Sequence, residues 1–161
     1  MSEKEKHIEN WMAKEPMGLY ITKQSNPFYK LLGTRHHLTN DYDVMELSRT
    51  GLPKNILVTL AQKISITIQE LSNIMHISER TLQRYEDDAI VKSEYSEKAI
   101  ELARLYARGE EVFGSMDKFK LWMKTPLLVL KGATPLSLLD TSAGFNIVFT
   151  ELGRIEHGIF A

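Results

Sequence analysis

From Asn40 onward apolar residues recur at helical spacing, and no run of useful length alternates apolar with polar as a half-buried strand would. Asn40 can cap a helix through Arg49, with Asp41 and Asp43 in its first turn and Gly51 as its stop. Pro53 suits a first helical position and opens "PKNILVTLAQKI". Thr67 with Glu70 three residues later is a capping box, which starts "IQELSNIM". Ser78 caps "ERTLQRYE". Ser96 to Phe113 makes a longer helix with Ala99, Leu102, Ala103 and Tyr106 on one face. Gly114 ends that helix, and Ser115 caps another through Met123. Thr134–Pro135 is a cap and first turn for "PLSLL", and Thr141 starts a last helix with Phe145, Val148, Phe149 and Leu152 at helical spacing. Full burial of four such side chains is worth roughly 6–12 kcal/mol, at about 1.5–3 each. Gly144 and Gly153 weaken that helix, which predicts close backbone approach at both. The expected fold class is all-α.

The pattern fails before Asn40. Pro16, Gly18, Pro27 and Gly33 interrupt any period, so residues 1–39 read as an arm with one short ordered piece, around Tyr20–Lys23 or Phe28–Leu32. The chain then divides into a helical part over 40–95, holding a helix-turn-helix at 67–86, and a second helical part over 96–161.

In that helix-turn-helix, "MHIS" is the tight turn, and Leu71, Met75, Ile77 and Leu82 fall where its small core belongs. Ser78, Arg80, Thr81, Gln83 and Arg84 form the candidate DNA-reading set on the second helix, where Arg suits guanine edges and Gln adenine. A plain helical hairpin with a solvated polar face fits the same pattern. His76 stands where the turn usually has Gly, although His tolerates a left-handed conformation better than most residues. Between Ile64 and Asp88, Arg80 and Arg84 face Glu70, Glu79, Glu86, Asp87 and Asp88, a poor balance for binding phosphates. DNA binding is therefore expected mainly from an assembled complex. Val44, Leu47, Ile56, Leu57, Leu60 and Ile64 exceed what the small core needs, which predicts a two-fold homodimer matched to a palindromic operator.

Composition narrows the chemistry. The 161 residues carry 20 basic and 21 acidic side chains, a net charge of −1, so no global field points to nucleic acid or membrane. With no cysteine, disulfides, thiolate catalysis and cysteine–zinc sites are excluded together. "MSEKEKHIEN" lacks the apolar core of a secretory signal and no apolar run reaches spanning length, which predicts a cytoplasmic protein without a membrane partner. His36 and His37 are adjacent and cannot share a metal as an i, i+4 pair would; Glu156 and His157 are neighbours without a third member. There is no phosphate-cradling glycine loop and no nucleophile beside a base. No catalysis, metal or cofactor is expected.

One feature stays unexplained by composition: the sequence closes on "ELGRIEHGIFA", with three apolar residues where chain ends are usually polar. Ile159, Phe160 and Ala161 either close the protein's own core or meet a partner. Together "GLPKNILVTLAQKI", "ISERTLQRY", "EEVFGSMDKFKLWMKTP", "TPLSLLDTSAGF" and "LGRIEHGIFA" resemble the Xre/MbcA/ParS-type antitoxins of bacterial type II toxin–antitoxin systems, over Leu47 to Ala161. The resemblance implies an Xre-like helix-turn-helix followed by a helical toxin-binding part. It implies as partner a toxin with a RES domain, an enzyme that consumes NAD, whose active site the non-enzymatic antitoxin covers. It also implies that the complex represses its own operon. On this reading Arg154, Glu156, His157, Ile159, Phe160 and Ala161 bind the toxin. The charged groups pair with those that otherwise hold NAD phosphates and ribose, and Ile159 and Phe160 supply the apolar anchor. Two departures from the family pattern stand out: His76 at the turn, and "LLVLK" at 127–131, where an Asn-Pro and a double Gly are common. A stand-alone regulator would explain only the helix-turn-helix, and a structural adaptor only the terminus.

Overall fold

Side-chain caps start four of the helices at the residues expected. The computed structural model describes residues 27–33 and 41–158. It contains α1 (Pro27–Leu32), α2 (Asp41–Thr50), α3 (Lys54–Ile64), α4 (Ile68–Met75) and α5 (Glu79–Gln83). After these come α6 (Ser93–Phe113), α7 (Met116–Met123), 3-10 turns at Leu128–Leu130 and Pro135–Leu138, and α8 (Ser142–Glu156). Thr67 and Glu70 form the reciprocal capping box on α4, at 3.1 and 2.7 Å. Ser78, Ser115 and Thr141 accept from the backbone of Thr81, Lys118 and Gly144, and so start α5, α7 and α8. Each satisfies an N–H that the helix itself leaves without a partner. Among the described residues there is no strand, only an isolated bridge between Pro53 and Ile90, so the fold is all-α.

Two helix starts differ from expectation. Pro53 is extended (φ −68°, ψ 148°) and lies just outside α3. The first N–H groups of α3, on Lys54 and Asn55, donate instead to the carbonyls of Ala89 and Asp87 at 3.0 and 2.9 Å. The central helix α6 begins at Ser93 rather than Ser96, because Ser96 is no cap: its buried hydroxyl accepts from the Leu52 backbone at 2.8 Å.

Helix α6 is the element on which α1, α2, α3, α4, α7 and α8 all pack. Ala99, Leu102, Ala103, Leu105 and Tyr106 are sealed from solvent along it. At its far end Tyr106, Phe113, Phe119 and Trp122 form an aromatic cluster with centroid separations of 5.1–5.7 Å. Gly109 permits this, since a Cβ there would sit 2.4 Å from the Phe119 ring.

The apolar surplus assigned to a dimer face is largely the protein's own core. Val44, Leu57, Leu60 and Ile64 are buried, and half-buried Leu47 and Ile56 pack against them. The cause is α1: Phe28, Leu31 and Leu32 are buried, and the helix packs on α3 and α6, supplying the missing cover. The ordered piece expected at Phe28–Leu32 thus exists as a core helix, whereas Tyr20–Lys23 and Asn40 lie outside the described residues. Among the described residues no helix is long and apolar enough to cross a membrane.

Candidate functional site

Helices α4 and α5 form the expected helix-turn-helix over a buried set of Leu71, Met75, Ile77 and Leu82. His76 ends α4 in the left-handed conformation, φ 55°. Its side chain does something glycine could not: Nε2 donates to the Asp140 carbonyl at 2.5 Å, tying the turn to the residue before the α8 cap. That departure from the family pattern has a structural purpose in this chain.

Ser78, Arg80, Thr81, Gln83 and Arg84 are all exposed. The Ser78 and Thr81 hydroxyls bond each other at 2.7 Å, while Arg80 and Arg84 form no ion pair among the described residues. Helix α5 is shorter than "ERTLQRYE" predicted. It closes at Gln83, because the following chain turns away to place the Asp87 and Ala89 carbonyls on the start of α3.

The local charge is also better balanced than the segment alone indicated. Lys54 Nζ reaches Asp87 Oδ1 at 3.1 Å and the Tyr85 carbonyl at 2.9 Å. Lys124 Nζ lies 4.0 Å from Glu70 Oε2 and donates to the Ser65 carbonyl at 2.7 Å. Lys54 and Lys124 were invisible to sequence reasoning, since no local pattern says that distant lysines return to the motif.

At the other end, α8 is seated at its start and open at its finish. A Cβ on Gly144 would lie 1.7 Å from the Leu138 carbonyl oxygen, whereas one on Gly153 would meet nothing within 4 Å. The approach expected at Gly144 is present; among the described residues none is found at Gly153. The helix ends as anticipated, with His157 donating to the Gly153 carbonyl and Gly158 left-handed at φ 66°. Phe145, Val148 and Leu152 are buried and Phe149 is half-buried.

The charged groups of that last turn already have partners within the chain. Arg154 bonds Glu151 at 2.7 Å, an i, i+3 pair on the helix surface. Glu156 is held by Arg108 of α6, which also bonds Glu111 at 3.2 Å. Glu111 first, with Glu156 adding to it against the cost of burial, raises the Arg108 guanidinium above its ordinary value. Solvent-exposed pairs of this kind are worth about 0–1 kcal/mol, so a stronger partner can replace either. Arg108 is the functional neighbour that sequence reasoning missed; only the packing of α8 on α6 brings it to Glu156. His157 is exposed, and Ile159, Phe160 and Ala161 lie outside the described residues, as do His36 and His37. No group of three or more His, Asp or Glu among the described residues is placed to hold a metal.

Two matches to known families divide the chain between these ends. Residues 43–104 match the antitoxin Xre-like helix-turn-helix domain, and residues 108–158 match the antitoxin Xre/MbcA/ParS C-terminal toxin-binding domain. The chain is 30% identical over 142 residues to an Antitoxin Xre of Photorhabdus laumondii, spanning 84% of this chain and 92% of that one. It is 31% identical over 116 residues to an Antitoxin Xre of Yersinia enterocolitica, covering 70% and 78% of the two chains. Over 80 residues it is 34% identical to a Prs ADP-ribosylating antitoxin of a Sphingobium species, covering 44% of this chain and 50% of that one. Helix α6 runs unbroken through the junction of the two matched segments.

Proposed function

The chain belongs to the Xre/MbcA/ParS antitoxin family, and from that premise we propose that it neutralises a RES-domain, NAD-consuming toxin by covering its active site. That it is an antitoxin of a toxin–antitoxin system, with a helix-turn-helix and a toxin-binding domain, follows from the family. The observation that carries the finer reading is the exposed last turn of α8, inside the segment that matches a toxin-binding domain. Its charged groups sit in weak, exchangeable pairs. Arg154 and Glu156 release Glu151 and Arg108 and pair with toxin groups that otherwise hold NAD, His157 adds a donor, and Ile159, Phe160 and Ala161 enter the cleft. A relative named for ADP-ribosylation supports a toxin that uses NAD.

In this reading residues 40–95 serve DNA and residues 96–161 serve the toxin. Arg80, Gln83 and Arg84 read base edges, Ser78 and Thr81 support the backbone contacts, and a homodimer matches the two-fold symmetry of an operator. The toxin complex is the form that represses the operon. The chain itself performs no chemistry. Expressing a cognate RES-domain toxin alone should collapse cellular NAD and growth, and co-expressing this chain should restore both. NAD falling equally in the two cultures would refute the reading.

A further inference from the structure

Leu128 is 96% exposed and Leu121 71%, and both lie inside the toxin-binding segment 108–158. Scattered exposed leucines need no explanation, but these are presented by backbone built for the purpose. The segment Leu127–Ala133 is cross-tied: Leu127 N–H donates to the Ala133 carbonyl at 3.1 Å, and Gly132 N–H returns to the Leu127 carbonyl at 2.9 Å. Leu130 is buried beneath, which pushes Leu128 and Val129 outward on the short 3-10 turn. Closing the loop puts Lys131, the cap of this turn, at φ 57°, left-handed like the helix caps Ser65 and His76. Leu121 stands on α7 seven residues earlier, on a helix whose Phe119 and Met123 face the core.

The surroundings are cationic. From Gly114 to Ala133 the chain carries Lys118, Lys120, Lys124 and Lys131 against Asp117 alone. Of these lysines only Lys124 makes an ion pair among the described residues. We propose that Leu128 and Val129, on one 3-10 turn, form a preorganised apolar knob that docks into an apolar pocket with a carboxylate rim on the toxin. It is a second anchor, separate from the last turn of α8. The inference rests on the toxin-binding reading above. A second copy of this chain is the poorer occupant, because a two-fold contact here would set the same lysines against one another. A knob that is already fixed loses little freedom on docking, so its burial is returned as affinity.

The test is titration calorimetry of the full chain against a cognate RES-domain toxin, with Leu128→Ala and the double variant Leu128→Asp, Val129→Asp. We expect the dissociation constant to rise about tenfold for the first and about a hundredfold or more for the second, the range that losing buried apolar side chains implies. Melting temperature should stay unchanged, since neither side chain supports the core. Wild-type affinity retained by the double variant would overturn the knob and leave the proposed function standing. Failure of the wild-type chain to bind would remove the toxin reading and the knob with it. An altered oligomeric state, or lost binding to phosphatidylglycerol vesicles, with toxin affinity unchanged would assign the knob to a second copy or to lipid and overturn the proposal.

Discussion

Helix α5 spans five residues and α8 fifteen, yet the short one and its cap carry Arg80 and Arg84 with no ion pair among the described residues, while the long one ends in groups already paired. In the proposed reading Arg80 and Arg84 meet a polyanion whose phosphates and guanine edges lie at fixed spacing. The surface behind them is rigid: a side-chain cap at Ser78, a buried Leu82, and carbonyls after α5 that are committed to the start of α3. At the end of α8, by contrast, Arg154 is paired with Glu151 and Glu156 with Arg108. Pairing keeps that turn satisfied in water without fixing it strongly, since such bridges contribute only about 0–1 kcal/mol. The two ends therefore use two devices. One presents charge with no ion pair among the described residues on a fixed platform, and the other holds exchangeable charge at the end of a helix whose closest backbone approach is at its start.

The anchoring asymmetry of α8 gives the largest expected effect. Gly144→Ala forces a Cβ against the Leu138 carbonyl and should lower folding stability by about 3 kcal/mol. Gly153→Ala in the same helix meets open space and should raise stability by about 0.5–1 kcal/mol. Urea unfolding of the two variants reads this directly; equal costs would mean that the last turn of α8 is seated like the first.

A smaller effect separates the ends from each other. Arg84→Ala should weaken operator binding by the antitoxin–toxin complex by about 1–3 kcal/mol and leave toxin inhibition untouched. A gel-shift titration in which Arg80→Ala, Arg84→Ala binds operator like the wild type would break the assignment of α5. Because Lys54 and Lys124 offset Asp87 and Glu70, the same titration on the antitoxin alone measures how far the motif depends on the toxin.

What was readable in the sequence follows from the range of the forces involved. Capping is a contact over three residues, so Thr67, Ser78, Ser115, Thr134 and Thr141 were found at their true positions. The start of α6 was missed by three residues, because no side-chain cap marks it. The residues assigned to a dimer face proved to be core for a different reason. An apolar surplus in α2 and α3 says that something covers it, but not that α6 does so for α2 and that α1 joins in for α3 from within the chain. At the candidate sites, the exposed side chains of α5 followed from helical period alone. The Arg108–Glu156 and His76–Asp140 contacts did not, since both join elements that only the packing around α6 brings together.

The central claim is that the end of α8 and the tail beyond it block the toxin while the helix-turn-helix serves DNA. It is tested most directly by following NAD consumption by the purified RES-domain toxin as antitoxin is added. Two antitoxins are compared with the full chain: one lacking Ile159, Phe160 and Ala161, and one carrying Arg80→Ala, Arg84→Ala. Ile159 and Phe160 are worth about 1.5–3 kcal/mol each if fully buried in the toxin. The account predicts that the shortened chain melts at the same temperature but leaves NAD consumption running, while the arginine variant inhibits like the full chain. A shortened chain that stays folded and inhibits fully, or one that unfolds because those residues belong to its own core, would contradict it.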